Sequence, residues 1–340
     1  MAITLEEMKV GMSDKVAEQV VDTFIRESEV LELLPFDDAV SPQGGSTLTY
    51  GYIQKKLPSE TAFRAINTEY TASEATVEKK AVDLKIFGGA FSIDRVIAQA
   101  NGKYNNIAMQ MNEKIISAIG TFHNAMINGD TTSEDGSFDG LDKFLVGQET
   151  EFNTDSSIDL STMANLKTNA DVFYEALLTL INKTNADALF VNENMKTKIQ
   201  TVARILGYKT ESESAFGRTI TTIGEGKVRL IDLKNVVTVN EDSSTHVKSA
   251  VETPIIGKQS RTFGTGESAT TVTGLTDIYA VHFSVLDGFH GITLNGAPAI
   301  TYRLPDFSQA GAVKNGDVEM VAAVALKNIK SAGVLRNIKI

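Results

Sequence analysis

The sequence contains no cysteine and only four histidines in 340 residues. Without cysteine the chain has no disulfide, no catalytic thiol and no cysteine-ligated zinc or iron–sulfur cluster. No two of the histidines stand four residues apart, as two metal ligands on one helix face would. We therefore expect no metal and no cofactor. The histidines are His123, His246, His282 and His290.

Long apolar runs are also missing. No run approaches the roughly 18 residues that a membrane-spanning helix needs. The segment from Met1 to Glu7 lacks the basic start and the apolar stretch of a signal peptide. We expect no membrane partner, and we expect the protein to stay in the compartment where it is made.

Catalytic motifs are a third absence. The patterns GxxxxGK[ST], GxSxG and HExxH do not occur. Residues 264–269 match GxGxxA, but a dinucleotide site needs that turn between a strand and a helix, and no helical pattern follows it here. Adjacent acids such as Glu6 and Glu7 point in different directions and make poor acid–base pairs. The sequence therefore predicts a protein that is not an enzyme.

Basic residues are outnumbered, since 32 Lys and Arg face 43 Asp and Glu for a net charge of −11. A protein that grips nucleic acid through its phosphates usually carries a basic surface, so specific recognition is not expected. The charge is uneven: residues 1–38 hold ten acids and three bases, whereas residues 327–340 hold four bases and no acid. These ends are either solvated faces or surfaces that meet the opposite charge on neighbouring subunits.

The apolar pattern of residues 13–28 predicts an amphipathic helix that Leu31 to Pro35 end. A helix this short is marginal by itself in water, so its apolar face needs a partner, in the same chain or in another copy. We predict that Val16, Val20 and Phe24 are contacts between subunits.

Residues 44–93 predict a long two-stranded hairpin. Thr47 to Ile53 alternates at period two, and a second strand covers Thr76 to Ile93, which Gly88-Gly89 interrupts as a bulge or bend. Such a hairpin is weakly stable alone and becomes reasonable if it lies on a neighbouring molecule. The predicted contacts between subunits are Tyr50, Tyr52, Ile53, Val82, Leu84 and Ile86.

Residues 103–128 have the clearest helical pattern, which predicts a helix roughly 39 Å long that ends at Asn128-Gly129. Residues 146–162 have the composition of a polar linker, and residues 240–275 that of a long loop. Between these two segments, helices and strands alternate as in an α/β domain. The predicted helices there cover 169–184 and 193–206, and the predicted strands cover 188–191, 228–233 and 236–239. Further strands are predicted after the loop, at 278–285, 300–304 and 318–329.

Three segments carry a resemblance to a known family. They are the turn from Asn128-Gly129-Asp130 to Phe138-Asp139-Gly140-Leu141, the helix–strand–helix unit around Ala188 to Asn192, and Ile278 to Phe283 running into Asp287 to Ile292. In their order and spacing, the elements resemble the major capsid proteins of tailed phages, the bacteriophage Hong Kong 97 shell fold. The resemblance covers nearly the whole chain.

The resemblance implies an α+β chain made of five segments. An N-terminal arm and an extended β-hairpin loop precede a peripheral domain built around a long spine helix at 103–128. An α/β axial domain follows, with residues 240–275 as an insertion, and the chain ends in return strands of the peripheral domain. The implied bounds are 1–40 for the arm, 41–90 for the loop, 91–150 for the peripheral domain, 151–289 for the axial domain and 290–340 for the return strands.

The implied function is a structural protein that assembles into the icosahedral head around phage double-stranded DNA. The resemblance implies hexamers and pentamers of this chain, separate scaffold and portal proteins, DNA held without specific recognition, and assembly in the bacterial host cytoplasm into a virion. Some family members also cross-link a loop lysine to an asparagine near the C-terminal end, here Lys55 or Lys56 with Asn328 or Asn337. Two alternatives stay open: an encapsulin-type bacterial compartment, and an α/β enzyme with residues 240–275 as a lid.

Overall fold

The fold is described from a computed structural model of the chain. It describes residues 28–39, 48–57, 59–99, 106–133, 136–208, 211–215, 218–223, 228–241, 248–266, 269–294, 300–308 and 310–340. The predicted N-terminal helix with Val16, Val20 and Phe24 lies outside these residues.

The described residues form six α-helices and eighteen strands. The helices are α1 (Glu29–Leu33), α2 (Arg95–Gln99), α3 (Asn106–Asn128), α4 (Leu141–Leu145), α5 (Met163–Thr184) and α6 (Glu193–Ile205). The strands are β1 (Phe36–Asp38), β2 (Thr49–Leu57), β3 (Thr76–Asp83), β4 (Lys85–Asp94), β5 (Glu151–Phe152), β6 (Ile158–Asp159), β7 (Ala188–Val191), β8 (Glu211–Ala215), β9 (Arg218–Ile223), β10 (Val228–Asp232), β11 (Asn235–Glu241), β12 (Lys248–Pro254), β13 (Gln259–Phe263), β14 (Thr270–Val281), β15 (Phe289–Thr293), β16 (Ile300–Arg303), β17 (Val313–Leu326) and β18 (Ala332–Lys339).

Two sheets organise these elements. A five-stranded sheet has the order β1-β15-β17-β16, with β4 also paired to β17, and α3 packs against β4 and β17. A nine-stranded sheet has the path β5-β18-β14-β7-β10-β9-β8, with β13 and β6 paired off it, and α5 and α6 pack on its strands. The hairpins β2–β3 and β11–β12 are separate two-stranded sheets. Among the residues that the structure describes, no helix combines the length and the apolar character needed to cross a bilayer.

The aromatic ring of Phe122 lies at the centre of the core around α3. It is fully buried, and its ring centroid lies 6.3 Å from that of Phe36, 6.1 Å from that of Phe87 and 6.0 Å from that of Phe138. The helical face predicted from the spacing of apolar residues is therefore the face that packs on the five-stranded sheet.

The turn after α3 depends on glycine. The Gly140 N–H donates to the Gly129 carbonyl oxygen at 2.8 Å, so the backbone at the end of α3 lies directly against the backbone at the start of α4. A Cβ atom at Gly129 would lie 2.1 Å from the Phe138 carbonyl oxygen, a distance that no side chain tolerates. This close approach explains why the predicted stop at Asn128-Gly129 is sharp.

The predicted hairpin needs correction at its second strand. The strand is interrupted at Leu84, which lies between the end of β3 and the start of β4, and not at Gly88-Gly89. Gly88 and Gly89 pair in regular register with Glu319 and Val318. A Cβ atom at Gly88 would lie 2.0 Å from the Val318 carbonyl oxygen, so glycine permits close pairing of β4 with β17 where we predicted a bulge.

Two segments predicted as irregular contain strands. Residues 146–162 include β5 and β6, which pair with the two halves of β18. Residues 240–275 include β12, β13 and the start of β14. Because every side chain of β12 is exposed, that strand lacks the alternation of apolar and polar residues by which half-buried strands are recognised. The GxGxxA segment joins the antiparallel strands β13 and β14, as expected for a chance match.

The last predicted segment, 290–340, is divided between the two sheets. Strands β15, β16 and β17 lie in the five-stranded sheet, but β18 lies inside the nine-stranded sheet beside β14. Residues Ala332 to Ile338 are all buried, which is typical of a strand covered on both faces. Segment 290–340 therefore contributes strands to both sheets.

The start of the described chain also differs from prediction. Ser28 has extended backbone dihedral angles and caps α1, and its Oγ accepts the Leu31 N–H at 3.1 Å. Residues 29–33 thus begin a new helix, where the sequence had indicated the end of one.

Candidate functional site

The hairpin β2–β3 has a base held by its own subunit. Tyr52 and Leu84 are buried against Ile292 and Ala325 of the five-stranded sheet. The Leu84 N–H also donates to the Leu48 carbonyl oxygen at 2.8 Å. The base of the hairpin is therefore fixed in direction by its own chain.

Tyr50 adds a polar anchor at the same base. Its hydroxyl donates to the Asp37 carboxylate at 2.5 Å, and its ring lies edge-on to His290 with the ring centroids 5.9 Å apart. The Lys327 ammonium lies 5.4 Å from the centre of the Tyr50 ring and 3.9 Å from the Asp37 carboxylate. Burial, followed by the hydrogen bond to Asp37, raises the pKa of Tyr50 above its ordinary value.

The six predicted hairpin contacts divide into two groups. Ile53 is 70% exposed and Ile86 is 61% exposed, so both face solvent in the single subunit. Tyr50, Tyr52, Val82 and Leu84 are buried or half-buried against their own chain. The first pair is available to a neighbouring molecule, whereas the other four hold the hairpin in place.

The tip of the hairpin, residues 59–75, carries apolar side chains that the sequence prediction did not single out. Phe63, Ile66 and Tyr70 are 107%, 90% and 65% exposed. They stand in a segment of mostly polar residues with neither the strand nor the helix period, and that isolation was the only available signal. Large apolar groups gathered at one exposed site mark interaction surfaces in soluble proteins.

The tip nevertheless has internal order. The Thr68 N–H donates to the Ala65 carbonyl oxygen at 3.3 Å, and Arg64 Nη1 donates to the Thr68 carbonyl oxygen at 3.1 Å. The Arg64 guanidinium lies 5.3 Å from the centre of the Tyr70 ring. These contacts give the tip a shaped turn that presents its apolar groups outward.

A second feature that sequence reasoning missed is a buried ion-pair network at a β-bulge. Arg336 and Asn337 of β18 both face Asp277 of β14, because two residues stand opposite one between the flanking pairs. Arg336 donates to Asp277 at 3.0 Å and to Glu151 at 2.8 Å, and it also pairs with Asp142. The network links α4, β5, β14 and β18.

Two further groups complete this network. Arg261 pairs with the Asp277 carboxylate at 2.6 Å and donates to the Asn337 side-chain oxygen at 2.7 Å. The Tyr279 hydroxyl donates to Asp142 at 2.8 Å. Burial raises the pKa of Tyr279 well above its ordinary value, and the carboxylates of Asp142 and Asp277 act in the same direction.

The basic C-terminal residues have acidic partners within their own chain. The sequence analysis had considered only solvated faces or contacts with neighbouring subunits. Lys327 lies 3.9 Å from Asp37, Lys330 lies 3.1 Å from Glu149, and Lys339 lies 3.4 Å from Asp159. The fourth base is Arg336 of the buried network. These side chains stabilise the fold of their own subunit.

Both asparagines considered for cross-linking make hydrogen bonds within their own chain. The Asn337 side chain is buried, and its amide donates to the carbonyl oxygens of Asn153 at 2.7 Å and Thr154 at 3.1 Å. Asn328 caps a short 3-10 turn by accepting the Lys330 N–H at 3.1 Å. The side chains of Lys55 and Lys56 lie outside the described part of the molecule.

His123 and His282 contact polar side chains of their own chain. His123 is buried, and its Nε2 lies 2.8 Å from the Ser28 hydroxyl, whereas His282 Nδ1 lies 2.8 Å from Asp187. Burial, followed by the charge of Lys234, lowers the pKa of His123 to about 4. Over the described residues, His, Asp and Glu side chains form no group of three or more that could hold a metal ion.

No protein-family model matches the sequence, and no curated protein is detectably similar to it. Solved structures are similar in fold. The SrpI encapsulin of Synechococcus elongatus matches with a TM-score of 0.54 and 11% identity, over 91% of this chain and 87% of that chain. The capsid of a native GTA particle matches with 0.54 and 9%, over 90% and 89%. Mycobacterium phage Ogopogo matches with 0.50 and 12%, over 91% of each chain. The predicted α+β shell fold of the Hong Kong 97 type is confirmed.

Proposed function

We propose that this chain is a major capsid protein that assembles with copies of itself into a closed icosahedral shell. The single observation that carries the proposal is the hairpin β2–β3, whose base is packed into its own subunit while its tip presents uncovered apolar groups. The fold supports it, because structures of phage, GTA and encapsulin shells share that fold over about nine-tenths of the chain. Fold alone does not assign function, so the argument depends on the hairpin.

The proposed contact is made by the hairpin tip on a neighbouring subunit. Covering a large apolar side chain is worth roughly 1.5–3 kcal/mol, so Phe63, Ile66 and Tyr70 together contribute several kcal/mol before the cost of association. A contact of this size is weak in a pair of subunits. Repeated around a closed shell, it becomes sufficient because each subunit makes it and receives it.

Ile53 is proposed to extend this contact along β2, and Ile86 is proposed to add to it from the start of β4. Both are exposed in the isolated subunit. The four inner residues take part by fixing the angle at which the hairpin leaves the subunit. They are Tyr50, Tyr52, Val82 and Leu84. A rigid extended arm loses less conformational entropy on binding than a loose one, which favours assembly.

The proposed content of the shell is double-stranded DNA, in a phage head built from hexamers and pentamers with separate scaffold and portal proteins. The net charge of −11 suits a container that does not grip its content, since phosphates are held mainly by basic surfaces. Assembly is proposed to occur in the bacterial host cytoplasm.

An encapsulin-type compartment is the second candidate. The observation that favours it is the SrpI encapsulin, which matches the fold with the same TM-score, 0.54, as the GTA capsid. The content of particles purified from the native source distinguishes the two. Nuclease-protected double-stranded DNA supports the phage head, and a copurifying enzyme without DNA supports the compartment.

Self-assembly is tested by electron microscopy and sedimentation of the purified protein. We expect shells, or pentamers and hexamers, from the unaltered chain. Replacing Phe63, Ile66 and Tyr70 together by serine, or deleting residues 58–72, is expected to leave a folded subunit that assembles poorly. Val172→Ser is the matched control, because Val172 is also exposed but lies on α5. A stable monomer or dimer under all conditions contradicts the proposal.

A further inference from the structure

The second two-stranded hairpin, β11–β12, is fixed at its base by its own subunit. Leu233 before β11 is buried, and so are Ile255 and Ile256 after β12. The Asn128 side chain donates to the Ile255 carbonyl oxygen at 2.8 Å, and the Asn192 side chain donates to the Ile256 carbonyl oxygen at 2.9 Å. Both ends of the hairpin are therefore held where its strands leave the core.

The strands of this hairpin, in contrast to its base, are exposed. Every side chain of β12 is exposed, and Val237 and Val239 of β11 are 50% and 66% exposed. Within the described part of the chain, β12 pairs with β11 alone, so no described strand covers its other edge. A two-stranded hairpin is marginally stable in water, and an open strand edge is a template for pairing with another chain.

We propose that β12 pairs edge to edge with β12 of a second copy of this chain, antiparallel about a two-fold axis at Ala250. Charge identifies the second copy as the partner. Lys248 and Glu252 stand two residues before and two residues after Ala250. The axis therefore brings Lys248 of each copy opposite Glu252 of the other, and opposite charges at directly opposed positions stabilise a sheet. Such a contact is isologous, because the same strand is used by both subunits.

Charge also selects this register over its neighbours. An axis at Lys248 would set two lysines directly opposite each other, and an axis at Glu252 would do the same with two glutamates, which destabilises a sheet. An axis at Val251 would set Lys248 opposite Pro254, and an axis at Ser249 would set it opposite Ala250, so the lysine would gain no acidic partner. The register about Ala250 is the one in which both charges of β12 are matched.

Backbone hydrogen bonding fits the same register. Alternate residues of a strand direct their N–H and C=O groups to the same edge, and pairing about Ala250 sets like-directed residues opposite each other. Pro254 has no N–H, so it ends the ladder at the base of the hairpin. The result is a four-stranded sheet with the two β12 strands at its centre. Val239 stands opposite Ala250 within each hairpin, so the apolar side chains of both copies lie on one face.

This contact is separate from the one proposed for the hairpin β2–β3. It does not depend on shell assembly, because a pair of subunits joined at β12 can form without a shell. It is also compatible with a shell, since an icosahedral shell contains two-fold axes. The two proposals can therefore fail independently.

The absence of cysteine makes a direct test possible, because a chain with Ala250→Cys has a single thiol and can form a disulfide only with another copy. Directly opposite residues of an antiparallel pair have Cα atoms about 4.5–5.5 Å apart, within the range of a disulfide. Val237→Cys is the matched control. It is exposed on the same face of the hairpin, but three strand spacings, about 14 Å, separate the two copies of β11. Dissociated subunits and any assembled particles are oxidised mildly and examined on non-reducing gels.

We expect a dimer-size band from Ala250→Cys and none from Val237→Cys. Charge reversal then tests the register. In the Ala250→Cys chain, Lys248→Glu sets acids opposite each other and is expected to slow disulfide formation about tenfold, and the further change Glu252→Lys is expected to restore the rate. Cross-linking of Ala250→Cys no greater than that of the control, in subunits and in particles alike, overturns the proposal. A rate that the charge reversals leave unchanged, or that the double reversal does not restore, overturns it as well.

Discussion

The Arg336 guanidinium donates to the Asp277 carboxylate at 3.0 Å, and both side chains are buried between β18 and β14. The extra residue of the β-bulge brings them together, since Arg336 and Asn337 share Asp277 as their opposite residue. Asp142 binds the same Nη1 nitrogen as Asp277, and Glu151 binds the Nε nitrogen. The network therefore ties the segment after α3 to the nine-stranded sheet.

Removing the central cation is expected to destabilise the subunit strongly. Arg336→Met leaves Glu151 buried without a counter-charge and leaves Asp277 with Arg261 alone, and breaking a buried pair in this way costs about 3–5 kcal/mol. Lys330→Met is the matched control, because the Lys330–Glu149 pair is about two-thirds exposed and worth less than about 1 kcal/mol. Urea unfolding of dissociated subunits measures both. Equal losses for the two variants would contradict the assigned role of the network.

How far the sequence could predict this fold depends on how each element is buried. The helix α3 was recognised because one face is buried and the other exposed, which imposes the helical period on its apolar residues. By contrast, β18 is buried on both faces and β12 on neither, so neither strand shows alternation. Their sheet partners depend on contacts distant in sequence, which a local pattern does not contain.

The candidate site was predictable to a similar extent. The hairpin could be located from the alternation of Thr47 to Ile53. The division between inner residues such as Leu84 and outer residues such as Ile53 could not be predicted, because it depends on packing against Ile292 and Ala325, which are distant in sequence. The tip residue Phe63 was missed because a single aromatic group in a polar segment has no period.

Acid is expected to weaken the subunit through His123. Burial lowers its pKa to about 4, whereas the unfolded chain has a value near 6.5. The unfolded state therefore binds more protons between these values, so stability is fully present above about pH 6.5 and falls as the pH approaches 4. The full shift corresponds to about 3 kcal/mol. His123→Gln should flatten the dependence of the unfolding free energy on pH between 4 and 6.5, and an unchanged slope would assign the effect to other groups.

Glycine at position 88 is expected to be required for pairing between β4 and β17. A Cβ atom there would lie 2.0 Å from the Val318 carbonyl oxygen, so Gly88→Ala must push the strands apart. Such overpacking costs about 1–3 kcal/mol or more. Gly136→Ala is the control, because a Cβ atom at Gly136 would meet nothing within 4 Å. Thermal unfolding of the two variants should separate clearly, and equal melting temperatures would contradict the register of this sheet.

Substitutions in the two groups of hairpin residues are expected to lower the unfolding free energy of the subunit by very different amounts. Leu84→Ala creates a cavity against Ile292 and Ala325, so it should lower the unfolding free energy of the dissociated subunit by about 2–5 kcal/mol. Ile53→Ser removes a side chain that is 70% exposed, so the subunit should lose no more than about 0.5 kcal/mol. Unfolding by urea, with the protein kept below the concentration at which it assembles, measures both values.

Ile53→Ser is expected to impair assembly, although it leaves the stability of the subunit unchanged. If the outer face of the hairpin lies on a neighbouring subunit, Ile53→Ser raises the protein concentration at which particles appear in light scattering, although the subunit itself is as stable as before. Thr301→Ser is a suitable control, because Thr301 is also exposed but lies on β16, away from the hairpin. An Ile53 variant that assembles like this control would remove the outer face from the contact and leave the tip as the remaining candidate.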